Sequence, residues 1–98
     1  MHIAEFEASL ANDQPPAELG GPLRVLWLDA KGQFDAAHEL AQSLPDPDGA
    51  RLHAYLHRKE GDLDNAGYWY RRAKSPMPSA PLVSEWRALA EHYLGQSG

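Results

Sequence analysis

Apolar side chains recur every three or four residues along most of the chain, a spacing typical of helices with one buried face. The spacing is clearest at Phe34, Ala37, Leu40, Ala41, Leu44, Leu82, Trp86, Leu89, Ala90 and Tyr93. No segment alternates apolar and polar residues over the length of a strand. We therefore predict an all-α fold without a sheet. Its helices are expected at about 22–31, 34–44, 49–60, 62–74 and 80–94, with a short helix within 2–11.

The stretch 50–74 reads as a helix, a tight turn and a second helix. Gly61 follows the last residue of the first helix, where a left-handed C-terminal cap favours glycine, so we expect a positive φ there. Asp62 comes next and can accept backbone N–H bonds at the start of the second helix. Helices joined by so short a turn pack antiparallel. The stretch therefore predicts a helical hairpin.

The turn and the start of the helix after it occur twice, 29 residues apart. The matched pairs are Gly32 and Gly61, Phe34 and Leu63, Asp35 and Asp64, and Ala37 and Ala66. A repeated helix–turn–helix unit is the signature of stacked helical hairpins, since each unit buries its apolar face against its neighbour. The repeat therefore predicts at least two such hairpins.

The shared pattern Gly-x-(Phe/Leu)-x-x-Ala resembles the turn motif of the tetratricopeptide-repeat family, and the resemblance covers about 18–94. Other positions typical of that family are matched by Ala54, Tyr70, Ala73 and Pro78. The resemblance implies stacked antiparallel hairpins of about five helices, with a groove for a protein or peptide. His53 and His57 stand where the family has large apolar residues, so a compact bundle of the same helices is the alternative arrangement.

The length of 98 residues predicts a single domain spanning 1–98. We divide it into a short N-terminal helix with a linker and three further units. These are expected at 1–17 for the helix and linker, 18–45 for the first hairpin, 48–75 for the second hairpin and 79–95 for a terminal capping helix.

The amino-acid composition excludes several classes of functional site and partner. The chain has no Cys, which excludes disulfides, thiol nucleophiles and thiolate metal sites. Its net charge of −5 argues against nucleic acid as a partner. The sequence has no apolar run of membrane-span length and no signal-peptide pattern at its start. We therefore expect a cytoplasmic protein without a cofactor and without a membrane partner.

Charge is unevenly distributed along the chain. Segment 51–74 holds six Lys/Arg and three Asp/Glu, a balance of +3, whereas the remainder holds three and eleven, a balance of −8. One arc of the helix at 49–60 carries Arg51, Tyr55, Arg58 and Lys59. Arg and Tyr are favoured at interfaces, and Arg pairs with carboxylates, so this arc predicts a site for an acidic protein or peptide. The alternative is a solvated outer face.

Histidines form the second candidate site. His53 and His57 lie four residues apart on one helix face, Glu60 shares that face, and His38 lies on a neighbouring helix. Two His at this spacing are typical of metal-binding helices, so these four residues could form a metal-binding or hydrolytic site. The interpretation that we prefer from the sequence is that the imidazoles are packed and bonded to neighbouring groups without a metal.

The sequence gives little support for other kinds of binding or catalytic site. Of the adjacent aromatics, Trp69 and Tyr70 are expected in the core and Tyr68 outside it. The chain has no phosphate-binding glycine loop and no nucleophile elbow. The sequence therefore predicts a non-enzymatic protein-interaction module. The alternatives are the histidine site and a structural subunit of a larger assembly, and self-association through an exposed end is consistent with so few repeats.

Overall fold

The computed structural model describes residues 1–97 and contains six α-helices, with no strand among those residues. The helices are α1 Ile3–Ala8, α2 Gly21–Ala30, α3 Phe34–Ser43, α4 Asp48–Glu60, α5 Leu63–Arg72 and α6 Leu82–Ser97, and a 3-10 turn at Ser9–Ala11 follows α1. The predicted all-α class is confirmed. The count is six rather than about five because the short helix expected within 2–11 forms as α1 and packs against α6.

Consecutive helices pair as hairpins. Helices α4 and α5 make the most extensive contacts, α2 and α3 come next, and α3 packs on α4 to join the two hairpins. Ala54 and Ala66 are fully buried between α4 and α5 beside Tyr70, so the helix axes can approach closely. As predicted, Tyr70 is buried and Tyr68 is 48% exposed, while Trp69 packs at the edge of this cluster.

The main core lies where α6 covers α1, α2 and α4. The rings of Phe6 and Trp86 stack with centroids 5.7 Å apart. Buried indole N–H groups find acceptors, since Trp86 Nε1 donates to the Leu26 carbonyl at 3.0 Å and Trp27 Nε1 donates to Ser9 Oγ at 3.2 Å. None of the described helices has the length and hydropathy that crossing a bilayer requires.

The turn between α4 and α5 has the predicted geometry. Gly61 has φ 84° and caps α4, and the Asp62 N–H donates to the His57 carbonyl at 3.0 Å. The Asp62 carboxylate accepts from the backbone N–H of Asn65 at 3.4 Å and from Asn65 Nδ2 at 2.8 Å. Gly32 has φ 78° after α2, so the two repeated glycines have the same conformation.

Gly61→Val should destabilise the protein by about 1–2 kcal/mol or more, because a β-branched residue is strained at positive φ. Urea denaturation of both proteins measures the change in unfolding free energy. The matched control is Gly95→Val, since Gly95 lies inside α6 and an added Cβ meets no atom within 4 Å. Equal losses in the two variants would show that the left-handed cap is not the cause.

Candidate metal centre

Three histidines from two helices converge at the junction of the hairpins. His38 on α3 meets His53 and His57 on α4, and one ring nitrogen of each lies within 4.8 Å of the others. The closest pair is His38 Nε2 and His53 Nε2, at 3.0 Å. The His53 and His57 rings stack with centroids 5.1 Å apart, as expected for residues one helical turn apart. The packing of α3 on α4 thus completes a three-nitrogen cluster.

Aromatic rings hold the cluster from both sides. Trp69 on α5 stacks on His53 with centroids 4.2 Å apart, and Phe34 on α3 stacks on His38 at 5.9 Å. His53 is 6% exposed, whereas His38 and His57 are partly exposed. The site therefore has one buried ligand group and two near the surface, so an ion can reach it from solvent.

His53 is held in its neutral form. Burial, followed by the charges of the nearby His38, His57 and Arg72, lowers its pKa to about 4. A neutral imidazole has one nitrogen with a free lone pair, which is the form that binds metal. At neutral pH, His53 therefore needs no deprotonation before it can act as a ligand.

Two carboxylates lie beside the cluster rather than within it. Glu60 Oε1 is 3.2 Å from His57 Nδ1, and Asp62 Oδ2 is 4.0 Å from the same atom. His57 Nδ1 is buried and has no hydrogen bond in this structure. The sequence grouped Glu60 with the histidines, but Glu60 does not belong to the set of converging ligand atoms. Glu60 instead lies next to the Nδ1 atom of His57.

The predicted partner-binding arc is engaged inside the molecule. Tyr55 is 2% exposed, and its hydroxyl donates to Asp29 Oδ2 at 2.9 Å. Lys59 Nζ lies 2.8 Å from Asp29 Oδ1. Burial, followed by the charge of Asp29, raises the pKa of Tyr55, so the hydroxyl stays protonated. In this structure α2 packs against this side of α4 and covers Tyr55.

The two arginines of the arc also have internal partners. Arg58 Nη1 lies 2.8 Å from Glu85 Oε1 on α6, and Arg58 Nη2 donates to the Ala80 carbonyl. Arg51 makes longer contacts, at 3.4 Å to His92 Nε2 and to Tyr93 Oη, and at 3.7 Å to Asp48 Oδ1. Binding of an acidic partner by Arg51, Tyr55, Arg58 and Lys59 therefore stays a prediction, and it would require these side chains to exchange their present partners.

Sequence reasoning missed two acidic residues that organise this side of α4. Asp29 is 3% exposed and Glu85 is 7% exposed. A signal was present for Asp29, because a single carboxylate in the otherwise apolar run 25–30 has to find a partner when that run is buried. No comparable pattern marks Glu85, whose partners are 27 and 15 residues away.

The best-defined surface cavities lie away from the histidine cluster. They have volumes of about 230 to 450 Å³, and His38, His53 and His57 are not among the residues that line them. Small-molecule sites are typically concave pockets of several hundred Å³. The cluster has the dimensions of an ion site rather than of a substrate site.

Comparison with known proteins finds no matching family model, no matching curated protein and no matching solved structure. The resemblance to tetratricopeptide repeats thus stays a prediction from the motif alone. The geometry of the side chains is what bears on function.

Proposed function

We propose that this protein binds one divalent transition-metal ion of the zinc class through His38, His53 and His57. The observation that carries the proposal is the convergence of three ring nitrogens within 4.8 Å. Imidazole nitrogen suits Zn²⁺, Cu²⁺ and Ni²⁺ far better than Mg²⁺ or Ca²⁺, which prefer oxygen ligands. The alternative is the interpretation preferred from the sequence, in which His38 and His53 bond to each other without a metal.

The spacing of the nitrogens fits this kind of ion. With zinc–nitrogen bonds of 2.0–2.1 Å, two ligands of a tetrahedral ion lie roughly 3.4 Å apart. The Nε2 atoms of His38 and His53 are 3.0 Å apart and the three ligand nitrogens lie within 4.8 Å of one another, so ring rotations would bring them to this spacing around an ion. The third histidine lies on the same helix as His53, and the fourth coordination position is left to water.

The proposed role is binding without catalysis. Three protein ligands and one open position are also found in catalytic zinc sites. Catalysis also needs a place for the substrate, and the best-defined cavities lie away from the cluster. An ion held between α3 and α4 would instead link the two hairpins and stabilise their packing. The protein-interaction role stays a separate prediction, and in this structure Arg58 and Lys59 of α4 are paired with Glu85 and Asp29.

Calorimetric titration of chelator-treated protein with Zn²⁺ tests the proposal. We expect one ion per chain, and His38→Ala, His53→Ala or His57→Ala should each weaken binding by about 100-fold or more, beyond what loss of an outer-sphere group costs. His92→Ala is the matched control, since His92 is exposed on α6 and outside the cluster. Absence of a binding heat, or equal weakening by His92→Ala, would contradict the proposal.

A further inference from the structure

The carboxylate of Glu60 lies beside His57 and pairs with no other side chain among the described residues. Glu60 Oε1 lies 3.2 Å from His57 Nδ1. Asp62 is farther from that nitrogen, at 4.0 Å, and its carboxylate accepts two hydrogen bonds from Asn65. These hydrogen bonds lower the pKa of Asp62 and keep it as the cap of α5. Glu60 is therefore the group that is available to His57.

We propose that Glu60 is a positioning residue of the metal site, which accepts a hydrogen bond from His57 Nδ1 and so directs His57 Nε2 to the ion. This inference rests on the metal-binding function proposed above. A neutral imidazole carries its hydrogen on one ring nitrogen and its free lone pair on the other, so an acceptor at Nδ1 selects the tautomer that binds through Nε2. Metal-bound histidines commonly donate their second N–H to a carboxylate in this way.

Two features of the site favour this role over direct ligation by Glu60. First, Glu60 lies outside the set of converging ligand atoms, whereas its distance to Nδ1 is that of a hydrogen bond. Second, His57 Nδ1 is buried and lacks a hydrogen bond, although the Glu60 carboxylate lies within hydrogen-bond distance of it. A buried polar nitrogen without a partner is unfavourable, so reorienting the Glu60 carboxylate to accept this hydrogen bond lowers the free energy of the protein.

Charge supports the same assignment. The three imidazole ligands are neutral, so they leave both positive charges of a divalent ion uncompensated. Glu60 places a negative charge one imidazole ring away from the ion. His38 and His53 have aromatic neighbours instead, so Glu60 is the nearest compensating charge.

Glu60→Gln tests the inference, with Glu91→Gln as the control that removes the same charge from an exposed site on α6. In the Zn²⁺ titration, Glu60→Gln should weaken binding by about 10- to 100-fold, the usual effect of an outer-sphere partner. Glu91→Gln should bind as the wild type does. Circular dichroism checks that both variants keep their helix content.

The tautomer of His57 in metal-free protein is the second readout, and ¹⁵N NMR measures it. We expect the Nδ1–H form in the wild type and a shift toward the Nε2–H form in Glu60→Gln. Wild-type affinity in Glu60→Gln, or an Nε2–H wild type, would overturn the role of Glu60 and leave the metal site standing. Failure of the wild type itself to bind Zn²⁺ would overturn both proposals.

Discussion

Glu85→Ala should destabilise the protein by about 3–5 kcal/mol, the range found when one partner of a buried ion pair is removed. The Glu85 side chain is 6% exposed, and its two oxygens contact residues of two different helices, α4 and α5. Oε1 pairs with Arg58 Nη1 at 2.8 Å, and Oε2 accepts from the Tyr70 hydroxyl at 2.5 Å. Alanine would leave a nearly buried guanidinium without its counter-charge and a buried hydroxyl without its acceptor.

Thermal and urea denaturation measure the effect of Glu85→Ala. For a domain of this size, each kcal/mol lowers the midpoint by about 4–8 °C, so a fall of roughly 12–40 °C is expected. Glu91→Ala is the matched control, because that side chain is 57% exposed and should change stability by less than about 0.5 kcal/mol. A loss below about 1 kcal/mol in Glu85→Ala would contradict a buried network that ties α6 to α4 and α5.

The metal-free protein should lose stability on the order of 3 kcal/mol as pH falls from about 6.5 to about 4, through His53 alone. Its pKa is 6.5 in the unfolded chain and is lowered to about 4 in the fold, first by burial and then by His38, His57 and Arg72. Between these two values the unfolded chain binds a proton that the folded chain does not. The free energy of unfolding therefore rises with pH across this window. Above the window, the contribution of His53 to it is constant.

Urea denaturation at a series of pH values from 4 to 7 measures this dependence. Carboxylates also titrate near the lower end, so the difference between wild type and His53→Phe isolates the histidine. The slope between pH 4.5 and 6.5 should be reduced in His53→Phe and retained in His92→Ala. Parallel curves for wild type and His53→Phe would show that His53 is protonated in the folded state.

Local patterns were enough to predict the helices and the turns. Apolar spacing located α2 to α6 to within a few residues, because each helix buries one face. The positive φ of Gly61 could be predicted because a left-handed helix cap depends on one residue and its immediate neighbours in the sequence. His53 and His57 could be placed together for a similar reason, since one helical turn separates them.

Contacts between helices could not be predicted from the same patterns. The arc with Arg58 and Tyr55 was predicted to bind an acidic partner because it carries positive charge, yet Glu85 from α6 pairs with Arg58 and Asp29 from α2 accepts from Tyr55 within the molecule. Helical periodicity indicates which residues share a face, but not which helix covers that face. The approach of His38 to within 3.0 Å of His53 depends likewise on how α3 packs on α4.

X-ray absorption spectroscopy of the zinc-loaded protein tests the central claim most directly, because it reports the atoms bound to the ion. The account predicts three imidazole nitrogens near 2.0–2.1 Å with one water oxygen as the fourth ligand, and loss of the imidazole scattering pattern in a variant lacking both His38 and His53. A shell of oxygen ligands without imidazole, or an unchanged spectrum in that double variant, would contradict a three-histidine metal site between the hairpins.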